Sequence, residues 1–129
     1  MIESERRAEI SKDDIREMLE AATSEKLNIS YLEIDGLELF VEAIYGNGLV
    51  HIYMLIDEGQ MRRGKIQLRG IMVFISDPIC ATIFTWFIPS FSSDVEVYFY
   101  SDWTVFYIST PSIFDLKKAV SAVRIAVSS

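Results

Sequence analysis

The stretch GIMVFISDPICATIFTWFIPSFSS, residues 70–93, decides the fold. It holds one charged residue, Asp77, directly before Pro78, and a second proline, Pro89, stands eleven residues further on. Taken as one piece, Ile71 to Pro89 approaches the ~20 apolar residues that a bilayer span needs. An aspartate near the middle of a span costs about 2.5–3.5 kcal/mol, and a proline beside it frees a backbone carbonyl. The four bases just ahead of the run would suit a cytoplasmic flank, but apolar alternation on both sides reads as continuous sheet. A membrane span is therefore not expected.

Taken as punctuated, the stretch is a strand through Ile75 followed by a buried helix over Asp77 to Ile88. Ser76 or Asp77 can accept the first helical N–H groups, Pro78 suits the first helical position, and Pro89 cannot continue a helix. The competing reading is a strand from Cys80 to Phe87, because Thr82, Ile83, Phe84, Trp86 and Phe87 all favour strands. That reading would give a seven-stranded sheet with terminal helices only.

Outward from this centre the punctuation is regular. Ser11 followed by Asp14 caps a segment in which Ile15, Met18, Leu19 and Ala22 recur at helical spacing, so a first helix is expected over Lys12 to Lys26. From Leu27 the period changes to two. Asp35-Gly36 and Gly46-Asn47-Gly48 supply residues that tolerate positive φ, and they cut the run into strands at Ile29 to Ile34, Leu37 to Tyr45 and Leu49 to Ile56. Leu37, Leu39, Val41 and Ala43 share one face of the second strand. Phe40 and Ile44 share the other with Glu38 and Glu42, so that face is only half wet. Asp57 to Gly64 reads as an exposed loop. Lys65, Gln67 and Arg69 then alternate with Ile66 and Leu68 as a half-buried strand that runs on, fully apolar, through Ile71 to Ile75. Beyond the Phe91-Ser92-Ser93 loop, Val95 to Tyr100 and Trp103 to Ser109 form a hairpin around Ser101-Asp102. Thr110, with Pro111 behind it, caps a last helix that is apolar over most of its girth from Ile113 to Val127 and must pack on the sheet and on something more, helix one or another subunit.

The expected fold is α+β: a twisted antiparallel sheet of about six strands with N-terminal, middle and C-terminal helices mainly on one face. At 129 residues the chain suits one domain, and its charged first ten residues read as a disordered N-terminus without a secretory h-region. The single cysteine, Cys80, excludes an internal disulfide and points to a cytoplasmic protein. Only four side-chain amides occur, Asn28, Asn47, Gln60 and Gln67, a depletion seen in thermophile proteins.

Chemistry-bearing patterns are scarce. A net charge of −7 argues against nucleic-acid binding, since a like-charged surface repels the phosphate backbone. His51 is the only imidazole and sits in a strand, so Ser-His or Cys-His catalysis has no base, and no metal-ligand spacing appears. Glu38 and Glu42 share a strand face with Asp35 at its start, a pattern that solvated glutamates also produce. Neither a catalytic residue nor a cofactor is expected. Two features could serve recognition. Arg62, Arg63, Lys65 and Arg69 make a basic spot on an acidic body, able to take an anion or an acidic peptide beside an apolar pocket. Tyr98, Tyr100, Trp103 and Tyr107 crowd the last hairpin, where acids at Asp94, Glu96 and Asp102 argue for a protein interface over base stacking.

In element order alone, from Ser11 to Val127 and without a residue motif, the chain resembles small α+β domains of the YbjN type and type III secretion chaperones. The resemblance implies a homodimer that binds other proteins and performs no chemistry. The leading expectation is thus a non-enzymatic, dimeric protein-interaction or regulatory domain; the alternative is a small-ligand or anion-binding domain using residues 62–69.

Overall fold

A computed structural model describes residues 10–129. The expectation of a disordered start falls outside the described residues except for Ile10, which packs against the core. Six strands form one antiparallel sheet in the order β1-β2-β3-β4-β6-β5. They are β1 (Ile29–Asp35), β2 (Glu38–Tyr45), β3 (Val50–Asp57), β4 (Leu68–Ile75), β5 (Glu96–Tyr100) and β6 (Trp103–Ile108). The helices are α1 (Lys12–Thr23), α2 (Glu58–Arg62), α3 (Pro78–Thr85) and α4 (Ile113–Val127). The deciding stretch is strand then helix, and the seven-stranded alternative does not form. α3 stops at Thr85, short of the expected Ile88, and the chain passes Pro89 in a 3-10 turn. Asp77 occupies the N-cap position without a side-chain cap bond, while Ser76 donates its hydroxyl to the Leu49 carbonyl instead.

Period-two alternation divides the sheet into two faces. Leu39, Val41, Ala43 and Tyr45 on β2, Val50, Ile52, Met54 and Ile56 on β3, and Ile71, Val73 and Ile75 on β4 are all buried. Phe106 and Ile108 continue this face on β6, and Phe84 of α3 lies with its ring centroid 4.6 Å from that of Phe106. α4 touches both α1 and α3, which accounts for its apolar girth within the chain. Its Leu116, Ala119, Val120, Ala122 and Val123 have no exposed surface. At its far end the Cys80 thiol donates to the Ala126 carbonyl across 3.4 Å. Gly46 has φ 62°, and a Cβ there would meet the Val127 side chain at 2.9 Å, so the β2–β3 turn can reach α4 only with glycine.

Local chemistry moved several boundaries. α1 ends at Thr23 because Ser24 takes the left-handed conformation (φ 59°) and its N–H returns to the Glu20 carbonyl. The Asp57 to Gly64 stretch is no exposed loop: Asp57 accepts the Gln60 N–H, α2 forms one turn, and Glu58 and Met61 are buried. Lys65 to Gln67 is not strand. A bulge at Arg69 places Gly70 opposite Leu55 and Leu68 opposite Ile56, and pairing begins only at Leu68.

The last helix starts two residues later than expected, with Ser112 rather than Thr110 as its cap. Ser112 and Asp115 satisfy each other's backbone N–H groups in a capping box. The Asp115 carboxylate, fully buried, also accepts the Ser92 N–H at 2.7 Å and the hydroxyls of Ser92 and Ser93. Burial raises the Asp115 pKa, but these hydrogen bonds outweigh it and hold the carboxyl below its ordinary range. A lowered folded value stabilises above the unfolded value, near 3.9, and is lost as pH falls through the folded value. Asp115→Ala is expected to cost about 2–4 kcal/mol in denaturant unfolding at neutral pH, because it removes a buried charged acceptor shared by several part-buried N–H and O–H donors. The difference from wild type should shrink below about pH 4.

Candidate functional site

The second face of the sheet carries no helix-facing core. In cross-strand order it presents Tyr31, Glu33 and Asp35 on β1; Glu38, Phe40, Glu42 and Ile44 on β2; and His51, Tyr53 and Leu55 on β3. Gly70, Met72 and Phe74 follow on β4, then Trp103, Val105 and Tyr107 on β6, and finally Glu96, Tyr98 and Tyr100 on β5. Most of the central residues are half-buried against one another alone, while Tyr31, Tyr98 and Tyr100 are exposed.

Four rings close a cycle at the centre of this face. Tyr53 meets Phe74 edge-on at 5.2 Å, Phe74 meets Trp103 at 6.0 Å, Trp103 meets His51 edge-on at 5.4 Å, and His51 stacks on Tyr53 at 6.1 Å. Phe40 extends the row, stacked on Tyr53 at 5.4 Å. These are offset and edge-to-face geometries that the ring quadrupole favours. Beside them Gly70 leaves a dimple of about 90 Å³ among Phe40, Tyr53, Leu55, Arg69, Met72 and Tyr107. That volume suits one apolar side chain. A Cβ on Gly70 would have Tyr107 Cε1 at 3.7 Å and the Ile108 carbonyl at 3.8 Å, both ordinary contacts, so the hollow is not forced by crowding of the backbone.

One carboxylate is built into the cycle. Glu42 lies 2.9 Å from His51 Nδ1 and accepts the Ser30 hydroxyl at 2.8 Å. Burial raises its pKa, but the bonds from His51, Tyr53 and Ser30 prevail and lower it. Burial, then the hydrogen bond to Glu42 and the Glu42 charge, push the Tyr53 phenol up to about 12. The arrangement braces the rings; Glu38 is separated from it, facing Arg69 at 4.0 Å. Among the described residues no group of three His, Cys, Asp or Glu side chains could hold a metal ion, and no helix is long and apolar enough to cross a membrane.

The structure separates the two recognition features that the sequence offered. Tyr98, Tyr100, Trp103 and Tyr107 all emerge on the open face, joined there by Phe40, Tyr53, Met72 and Phe74 from strands that the hairpin alone did not implicate. The half-wet pattern of Phe40 and Ile44 was the signal for that larger surface. The four bases do not converge. Arg62 pairs with buried Glu58 one turn back, and Arg69 donates to Asp57 at 2.5 Å. The Gln60 N–H and then Arg69 hold the Asp57 carboxyl below its ordinary range. Arg63 and Lys65 are exposed and flank Gly64 in the chain, and Gly64 and Ile66 line an apolar cleft of about 490 Å³ with Met18, Ala21, Ala22 and Ile113.

The fold and its open face define an α+β domain with a one-sided antiparallel sheet. No family model, curated protein or solved structure matches this chain. The physical origin of the brace is open to test by NMR titration of the tyrosine rings: Tyr53 should stay protonated past pH 11, and Glu42→Gln should lower its pKa while leaving it above 10, because burial is the larger cause.

Proposed function

We propose that the protein is a non-enzymatic interaction domain that binds another polypeptide across the open face of its sheet. The observation that carries this reading is the cycle Tyr53–Phe74–Trp103–His51 with Phe40 beside it, a continuous aromatic surface that no helix among the described residues covers. Contiguous exposed apolar surface on a folded domain marks contact sites, and Tyr and Trp are enriched in their anchoring positions. The partner's chemistry follows from the frame: Glu33, Asp35, Glu38 and Glu96 rim the face, so the fitting partner is basic at its edge and supplies one aliphatic side chain to the dimple at Gly70. Affinity isolation with the tagged chain, run beside Gly70→Ala and Gly70→Val, tests this. Filling the hollow should leave the thermal melt unchanged or raised, because residues with a Cβ suit a strand better than glycine. It should also abolish recovery of a basic partner by the valine variant. Equal recovery by all three chains would overturn the reading.

A second reading rests on the cleft beside Arg63 and Lys65: an anionic ligand with an apolar tail, its charge on these two bases and its tail against Met18 and Ile66. A thermal-shift screen with fatty acids and acyl phosphates should show stabilisation that Arg63→Ala with Lys65→Ala removes. A shift that survives both substitutions would reject it.

A further inference from the structure

The two edges of the sheet are built differently. β1 carries a bulge at Ser30, between the pairs Ile29–Ala43 and Tyr31–Glu42, and acids at Glu33 and Asp35. Bulges and charges are the devices by which sheets prevent edge-to-edge pairing. β5 has no bulge, no proline and no lysine; its sequence is EVYFY, and all five residues are exposed. Tyr100 and Trp103 close the two-residue turn at Ser101-Asp102, so Tyr100, Tyr98 and Glu96 direct their backbone groups toward β6. The N–H and C=O groups of Val97 and Phe99 then point outward. On the helix side Val97 and Phe99 border a groove of about 290 Å³ against Pro78, Ala81, Thr82 and Thr85 of α3. Phe99 is 82% exposed, and Ile79 and Trp86 of α3 are 68% and 69% exposed.

We propose that β5 pairs antiparallel with β5 of a second copy, joining two six-stranded sheets edge to edge about a two-fold axis at Tyr98. The register is selected by the strand itself. Outward-facing backbone groups must meet outward-facing groups, and of the registers that allow this, the one with Val97 opposite the second copy's Phe99 engages both outward residues of each strand and exchanges four main-chain hydrogen bonds, two for each such pair. In that register Tyr98 meets its own mate on the open face. Glu96 lies opposite Tyr100 and not opposite Glu96, so no like charges face each other within the strand. On the helix side the two copies of Val97 and Phe99 form one apolar row along the mouths of both α3 grooves. Asp94 and Asp102 lie beyond the ends of the strand and repel across the axis, so association should strengthen with added salt.

This inference uses the free edge of β5, whereas the interaction described above is anchored at the centre of the open face and the hollow at Gly70; the two share only the Tyr98 and Tyr100 margin and fail separately. Sedimentation of the full chain at micromolar concentration should give a dimer, more populated at higher salt. Phe99→Lys, on a side chain already in solvent, should give a folded monomer, while Gly70→Ala should leave the dimer intact. Register is read by cysteine pairing in a Cys80→Ala background. Tyr98→Cys should form an intermolecular disulfide under mild oxidation, because across an antiparallel pair only a residue on the axis meets itself, whereas Glu96→Cys should not. A monomeric wild type, a Phe99→Lys dimer, or equal cross-linking at positions 96 and 98 would each overturn the proposal.

Discussion

The seating of α4 on the sheet is the contact on which the rest depends. Along the side of α4 facing the sheet and the other helices the residues are Leu116, Ala119, Val120, Ala122, Val123 and Ala126, five of them small or β-branched and all essentially without exposed surface. Small side chains let the helix axis approach closely enough for α1 and α3 to touch it from their own positions. Close approach has local consequences: Gly46 is needed where the β2–β3 turn meets Val127, and Asp115 is buried where the chain enters the helix. That carboxylate ties the loop at Ser92 and Ser93 to the first turn, so the helix start and the approach to β5 are held by one group. It is a buried charge made tolerable by complete hydrogen bonding and not by a counter-ion.

With the three longer helices committed to one side, the described residues supply no second layer to the other side of the sheet. A domain usually completes such a face with polar residues, which gives the alternation typical of an antiparallel sheet wetted on one side. Here the outer strands follow that rule, with Glu33, Asp35 and Glu38 near β1 and Glu96 on β5, while the central strands place rings where polar groups would stand. The rings partly bury one another, and Glu42 fixes His51 and Ser30 among them. The surface is therefore apolar at its centre and acidic at its rim.

Much of this was legible in the sequence, and for definite reasons. Asp77-Pro78 and Pro89 marked the bounds of a helix whose composition favoured a strand, because a missing donor and a fixed φ act regardless of hydrophobicity. Asp35-Gly36 and Gly46-Asn47-Gly48 placed two turns through the same backbone logic, and Phe40 and Ile44 betrayed the second face. What remained illegible depended on contacts between distant segments. α2 forms because Met61 reaches the core and Asp57 caps it, neither of which its polar composition shows. Ser112 displaces Thr110 as the cap because Asp115 has serine partners twenty-odd residues earlier in the chain, at Ser92 and Ser93. The four bases looked like a cluster in sequence, yet Glu58 and Asp57 take up two of them, which only the bulge at Arg69 and the turn of α2 arrange.

The cross-bracing of the aromatic face bears directly on how it can bind. Ordering a side chain on association costs about 0.5–1.5 kcal/mol when its rotamers are free beforehand. Tyr53, Phe74, Trp103 and His51 each touch two neighbours in the cycle, so their rotamers are restricted before any partner arrives. Tyr98 and Tyr100, exposed on the edge strand, lack that support from the cycle. Contacts at the centre of the face consequently retain more of their burial free energy than contacts at β5, where ordering must be achieved on binding. A preorganised centre with an adaptable tyrosine margin favours a partner whose apolar anchor is fixed and whose polar edge varies, and the single hollow at Gly70 is the place where such an anchor fits.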